Sequence, residues 1–261
     1  MNRRAILGAL AGAGVSIAYA AEPDHSAFDR LLQIYVKPGT DGLNRVDYAG
    51  WRANGADRAA LDAYIMVLSG TAASRLTRLE QWAFWANLYN AITVQVILDR
   101  YPVGSIRDIR STGAGLSVGG LIGPWKTKRV VVEGRNLSLD DIEHAIMRPT
   151  FKDPRVHYSV NCASIGCPNL PRRAFRAASL EADLDANARA FINSPRGVRV
   201  VRDGVRLSSI YTWFKEDFGT QAQLRAHLAK YAQPALAAQI QTARILGHDY
   251  DWKLNDAKAP A

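Results

Sequence analysis

The densest run of apolar positions along the chain is "TRLEQWAFWANLYNAITVQVILDRYP". Trp82, Trp85, Tyr89, Ile92 and Val96 recur at helical spacing, and Phe84, Leu88 and Val94 make the other faces apolar too. A helix that is apolar all round has no face to offer to water, so its place is the centre of the fold. Thr77 and Glu80 have the spacing of a capping box at its start, and Pro102 ends it. Two amphipathic patterns precede it: "HSAFDRLLQIYVK", and "ADRAALDAYIMVLSG", which closes on Gly70. Between them, "TDGLNRVDYAGW" reads as a turn, an extended segment and a short helix.

The second half alternates more. "RVVVEGRNLSL" predicts a strand and a turn, and Ser138 caps a helix "LDDIEHAIMR" that ends at Pro149. Val156 to Asn161 reads as a strand running into the segment with the cysteines. "SLEADLDANARAFINS" is helical, and Asp203-Gly204 between alternating valines and arginines signals a hairpin in "GVRVVRDGVRLS". "SSIYTWFKEDFG" and the alanine-rich stretch to about Ala243 follow as helices, with "HDYDWKLN" as a last strand. The pattern predicts an α+β fold: one domain over residues 21–261, its buried central helix packed on a small, mostly antiparallel sheet.

Residues 103–129 are rich in glycine but have neither the Walker pattern nor a GxGxxG between strand and helix, so a covering segment or hairpin is expected there. The start of the chain reads differently. Arg3 and Arg4 precede an apolar run too short for a membrane span, and Ala18 and Ala20 stand at small-residue cleavage positions. A cleaved signal peptide over residues 1–20 is expected, taking the twin-arginine or the general secretory route to the periplasm or beyond.

The formal charge of +9 over 261 residues allows contact with anionic ligands or a membrane surface. The arginines are dispersed, with no polybasic block interleaved with aromatics, so nucleic-acid binding is not expected. With 48% apolar residues, the chain can fill a full core. No cofactor is expected. The composition names neither a substrate nor an oligomeric state; a peptide-like or anionic ligand is compatible with it.

Candidate chemistry concentrates in "HYSVNCASIGCPNLP", which holds both cysteines, Cys162 and Cys167. Three readings are open. An even cysteine count in an exported chain, with a short glycine-containing loop, allows a Cys162–Cys167 disulfide. His144, His157, Cys162 and Cys167 could serve as metal ligands, although C-x4-C with upstream histidines is not a sharply spaced zinc pattern. Third, Cys162 could be a thiolate nucleophile with His157 or His144 as base. A regular strand would put His157 and Cys162 on opposite faces, so a direct dyad needs a bend after Val160 or the other histidine, with Glu143 beside it. On the central helix, Asn87 and Asn90 lie three apart on one face; they either tie buried backbone or line a pocket.

"EQWAFWANLYNA", "LSLDDIEHAIMR" and "VHYSVNCASIGCPNL", with looser matches at "VDYAGW", "SSIYTWFKEDFG" and "YDWKLN", resemble the domain of unknown function 547 family. The resemblance spans roughly Val46 to Asn255 and carries no established activity. It implies one domain containing the asparagine-rich helix, the Glu-His helix and the His/Cys segment, with a distant likeness to papain- and transglutaminase-type thiol folds. It also implies a role for Cys162 beyond pairing with Cys167. The expectation is a thiol-dependent hydrolase or acyl transferase of the cell envelope, with Cys162 attacking a carbonyl and an asparagine amide holding the oxyanion. The alternatives are a non-catalytic binding protein with a disulfide, and a metal-binding domain.

Overall fold

The computed structural model describes residues 20–109 and 123–258. The expected leader, apart from Ala20, and the middle of the glycine-rich segment lie outside the described residues. Helix Arg78–Arg100 runs through the middle of the molecule, and its side chains are buried without interruption from Trp82 to Val94. Its start is closed as expected: the Thr77 hydroxyl accepts from the Glu80 amide, and the Glu80 carboxylate accepts from the Thr77 amide at 2.7 Å. Trp85 is 6% exposed, as an apolar residue on an all-round buried helix should be.

Helices Ser26–Tyr35, Tyr48–Ala53 and Gly55–Ser69 wrap one side of it. Aromatic stacks hold that layer, Tyr35 on Trp51 at 4.7 Å and Phe28 on Tyr64 at 4.8 Å between ring centroids. The described strands form three small sheets. Val36–Pro38 pairs antiparallel with Asn44–Val46, and Val130–Val132 pairs antiparallel with Arg135–Leu137. In the third sheet Gly204–Ser208 lies between Val198–Val201, antiparallel, and Ile245–Asp249, parallel. Val201 faces Gly204, so the hairpin turns on Arg202 and Asp203, one residue earlier than the pattern indicated. The architecture is α+β, with the sheet divided into separate small ribbons. Among the described residues no helix is long and apolar enough to cross a membrane.

The buried apolar side chains form two clusters. The larger surrounds the central helix; the smaller gathers Val198, Val205, Leu207, Phe218, Leu228 and neighbours under the three-stranded sheet. Helix Leu180–Ile192 bridges them, giving Leu180 and Leu184 to the first and Ala188, Phe191 and Ile192 to the second. The seam is also where the cysteine segment emerges: Val156 and Val160 pack in the first cluster, Tyr158 between them in the second.

Here the structure departs from the expected strand. Val156–Ser159 is a helical turn, with the chain extended only from Val160. Asp153 and Pro154 start it, since the Asp153 carboxylate accepts from the Arg155 amide at 2.8 Å and the Pro154 carbonyl from the His157 amide at 3.1 Å. Local capping outweighs the β-propensity of a short apolar run.

Candidate functional site

The loop from Cys162 to Cys167 is held from both ends. Asn161 accepts from the Ala163 amide at 2.8 Å and donates to the Pro168 carbonyl at 2.6 Å, closing the loop across its base. Ala163 takes φ 62°, a left-handed conformation that costs a non-glycine residue energy and concentrates at sites that need a special chain path. The C-terminal segment straps the loop down, with Ile165 donating to the Lys253 carbonyl and Gly166 to the Asp251 carbonyl, both at 2.8 Å. A Cβ on Gly166 would stand 2.9 Å from the Asp251 nitrogen, so this close approach requires glycine.

That strap delivers Tyr250 to the sulfurs. Its hydroxyl lies 3.1 Å from Cys162 Sγ and 3.1 Å from Cys167 Sγ, and accepts from Ser164 Oγ at 2.9 Å. Ser164 Oγ is also 3.2 Å from Cys162 Sγ, and the Cys162 amide donates to Cys167 Sγ at 3.0 Å. Both cysteines are free thiols; Cys162 is half-buried and Cys167 is buried. Burial opposes ionisation of Cys167, but hydrogen bonds from the Cys162 thiol, the Tyr250 hydroxyl and the Cys162 amide outweigh it and bring it below the ordinary thiol value. Its hydrogen bond with Cys167, and then burial, push Cys162 the other way.

Arg196 holds the loop at the Cys167 backbone. It donates from Nη1 to the Cys167 carbonyl at 2.6 Å, from Nη2 to Asn169 Oδ1 at 3.1 Å and from Nε to Ser194 Oγ at 3.0 Å. These partners are all neutral.

A second polar cluster lies at the seam. His157 Nε2 donates to Asp217 Oδ2 at 2.6 Å, and its Nδ1 is 3.6 Å from Glu143 Oε1. Arg148 Nε donates to the same Asp217 oxygen at 2.6 Å, and the Phe214 ring stacks on the imidazole at 4.2 Å. Glu143 comes from a π-helical segment, Asp141–Met147, whose start Ser138 closes by exchanging hydrogen bonds with Asp141. Burial alone would lower the His157 pKa; Asp217 and Glu143 together raise it above its ordinary value. Burial would raise Asp217, but His157 and Arg148 bring it down to about 2. Burial likewise opposes Glu143 ionisation, and hydrogen bonding to His157 reverses this.

The structure therefore brings Glu143, His144 and His157 together, and separately Cys162 with Cys167. His144 is partly exposed, with its Nδ1 3.9 Å from Glu143 and its Nε2 3.9 Å from Asp140. Among the described residues no hydrogen bond or ion pair joins either histidine to either sulfur. The four ligands of the metal reading divide between the clusters, and among the described residues no three His, Cys, Asp or Glu side chains converge as metal ligands. Both asparagine amides are engaged by backbone. Asn87 donates to the Phe175 carbonyl at 2.8 Å and accepts from its amide at 2.9 Å; Asn90 donates to the Ser159 carbonyl at 2.9 Å and accepts from the Asn161 amide at 2.8 Å. Asn90 thus anchors the base of the cysteine loop to the central helix.

Sequence reasoning missed Tyr250, Ser164, Arg196 and Asp217. Tyr250 and Asp217 lie within "YDWKLN" and "SSIYTWFKEDFG", stretches that carry the looser family resemblance but no catalytic pattern, and Arg196 is one of the dispersed arginines. Residues 73–192 match a family model described as "Protein of unknown function, DUF547". The match covers Glu143, His157 and both cysteines, and ends before Arg196, Asp217 and Tyr250. No curated protein and no solved structure matches the chain.

Proposed function

We propose from the site itself, since a match of residues 73–192 to the domain of unknown function 547 family names no reaction, that Cys162 and Cys167 form a dithiol centre for thiol–disulfide exchange. The observation that carries this is the single Tyr250 hydroxyl at 3.1 Å from both sulfurs. It holds two free thiols as neighbours in a loop strapped at both ends, so little chain rearrangement separates the dithiol from the disulfide. Exchange needs a thiolate, and the amide and hydroxyl donors around Cys167 favour one.

In the oxidising direction, a thiolate of the pair attacks one sulfur of a partner's disulfide and displaces the other as a thiolate. The second cysteine, as its thiolate, then displaces the remaining partner sulfur. The pair loses two electrons and forms one S–S bond; the partner disulfide gains them and becomes a dithiol. Export through a leader at residues 1–20 would place the centre where such disulfides persist. Its partners would then be other exported proteins carrying cysteine pairs.

Equilibration of the full chain in buffers of varied reduced-to-oxidised glutathione ratio, acid quenching and intact-mass analysis test the reading. The expected result is a reversible interconversion of dithiol and intramolecular disulfide, absent in Cys162→Ser and in Cys167→Ser. Thiols that alkylate equally at every ratio overturn it. Acyl transfer would instead place a histidine at the sulfur, a position held here by Tyr250 and Ser164. Alkylation of Cys162 that slows in His157→Gln or His144→Gln, with no disulfide at any ratio, would move the conclusion to that chemistry.

A further inference from the structure

Arg196 is bonded to the backbone of the cysteine loop, at the Cys167 carbonyl, and has no acid of its own among the described residues. Its guanidinium is partly buried over the Phe191 ring, 5.7 Å from the ring centroid, and its three hydrogen-bond partners are a carbonyl, an amide and a hydroxyl. Among the described residues no carboxylate reaches it within ion-pair distance. Asp41, the acid whose charge acts on it, is engaged by Arg45 at 2.7 Å. A cation withdrawn from water is costly unless an anion compensates it. The group able to supply that anion is Cys167, whose own carbonyl Arg196 grips.

This has a consequence for direction, resting on the exchange reading above. With Cys167 as a thiolate, the guanidinium has its counter-charge. A Cys162–Cys167 bond removes the anion and leaves the cation facing neutral groups. We propose that Arg196 makes the disulfide the high-energy form of this centre, so that the domain acts as a disulfide donor toward partner dithiols and not as a protein stapled by a structural bridge.

The two sulfurs then have separate tasks. An incoming partner thiolate attacks Cys162, the less buried of the two residues; the S–S bond breaks and Cys167 leaves as a thiolate at the Tyr250 hydroxyl and the Cys162 amide, with Arg196 bonded to its own carbonyl. A thiol that ionises readily is the faster leaving group. The partner's second thiolate attacks its own sulfur in the mixed disulfide, forming the partner's S–S bond and releasing Cys162, which takes up a proton. Two electrons pass from partner to donor. Of the partner's two thiol protons, one ends on Cys162 and one in solvent.

The test measures the equilibrium constant between the full chain and glutathione for wild type, Arg196→Met and Arg196→Lys, with Cys167 ionisation followed by thiolate absorbance against pH. Arg196→Met should stabilise the disulfide about tenfold, equivalent to about 30 mV for a two-electron couple, and should move Cys167 ionisation to higher pH. Arg196→Lys keeps the charge and should restore most of both. A merely structural arginine would not separate the lysine from the methionine variant in ionisation. Equal constants in wild type and Arg196→Met overturn the proposal. A wild-type disulfide that excess reduced glutathione leaves intact also overturns it, whether or not any variant folds. If wild type forms no Cys162–Cys167 disulfide at any ratio, the exchange reading itself fails; a reversible disulfide indifferent to residue 196 ends only the donor role.

Discussion

The cluster around His157 and the cluster around Cys167 are both polar, both set at the seam between the two apolar cores, and opposite in charge balance. His157 has a carboxylate toward each ring nitrogen, Arg148 sharing Asp217 with it, and an aromatic ring on its face. Every charge there has a counter-charge within reach. At the dithiol, two thiols share one hydroxyl and the adjoining guanidinium has only neutral partners. A network whose charges are all answered holds a fold in one arrangement; one that is complete in only one protonation or oxidation state can change state. The histidine expected from sequence as a catalytic base thus occupies the closed cluster, and the exchange chemistry proposed above rests on the open one.

The strongest way to break this contrast is His157→Ala. Removing the imidazolium leaves Glu143 buried without its partner, and the expected loss is about 3 to 5 kcal/mol of stability by denaturant titration. The glutathione equilibrium of the surviving folded fraction should stay at the wild-type value. A loss under about 1 kcal/mol, or a shifted equilibrium, would show that the clusters are not separate in this way.

A smaller effect appears in the pH dependence. His157 binds its proton more tightly folded than unfolded, so its contribution is complete below the ordinary imidazole value of 6.5 and is lost as pH rises through the higher folded value. Asp217 and Glu143 have folded values below the ordinary ones; their contribution is present above about pH 4 and fades as pH falls through the folded values. His25 and His227, lowered to about 4 chiefly by burial, remove stability below 6.5 as the unfolded chain takes up protons first. The informative quantity is therefore the difference between wild type and His157→Gln, which should shrink above neutrality. A difference constant from about pH 6 to about pH 9 would mean that His157 is not held as an imidazolium.

Asn90→Ala should cost about 1 to 3 kcal/mol, since it leaves the Ser159 carbonyl and the Asn161 amide unpaired in the interior. It should also loosen the base of the cysteine loop and weaken intramolecular disulfide formation against mixed disulfides, which peptide mapping would show. Unchanged loop chemistry would confine Asn90 to stability. His144→Ala is the smallest change. The ring is partly exposed, with its carboxylate neighbours at 3.9 Å, and the expected loss is within about 1 kcal/mol with thiol alkylation rates unaltered. Slower alkylation of Cys162 in this variant would join the two clusters after all.

What the sequence determined by itself are the features governed by neighbours a few residues apart. The capping box at Thr77 and Glu80, the all-round apolar helix with Trp85 inside it, and the hairpin near Asp203 each depend on local hydrogen bonds or on periodicity, and each was legible to within a residue. The turn at Val156–Ser159 also has a local cause, the Asp153-Pro154 start, but the apolar run that follows has the same pattern as a strand and outweighs that signal in the sequence. The seven candidate site residues, Asn87, Asn90, Glu143, His144, His157, Cys162 and Cys167, were visible as residue types but not as partners. His157 meets Asp217 across 60 positions, Cys162 meets Tyr250 across 88, and Arg196 reaches the Cys167 carbonyl across 29. Only the closing of the C-terminal strap over the loop, and of the smaller core against the larger, decides which histidine lies between two carboxylates and which cysteine has its carbonyl held by the guanidinium. Those contacts depend on how two cores pack, and packing leaves no periodic mark in the chain.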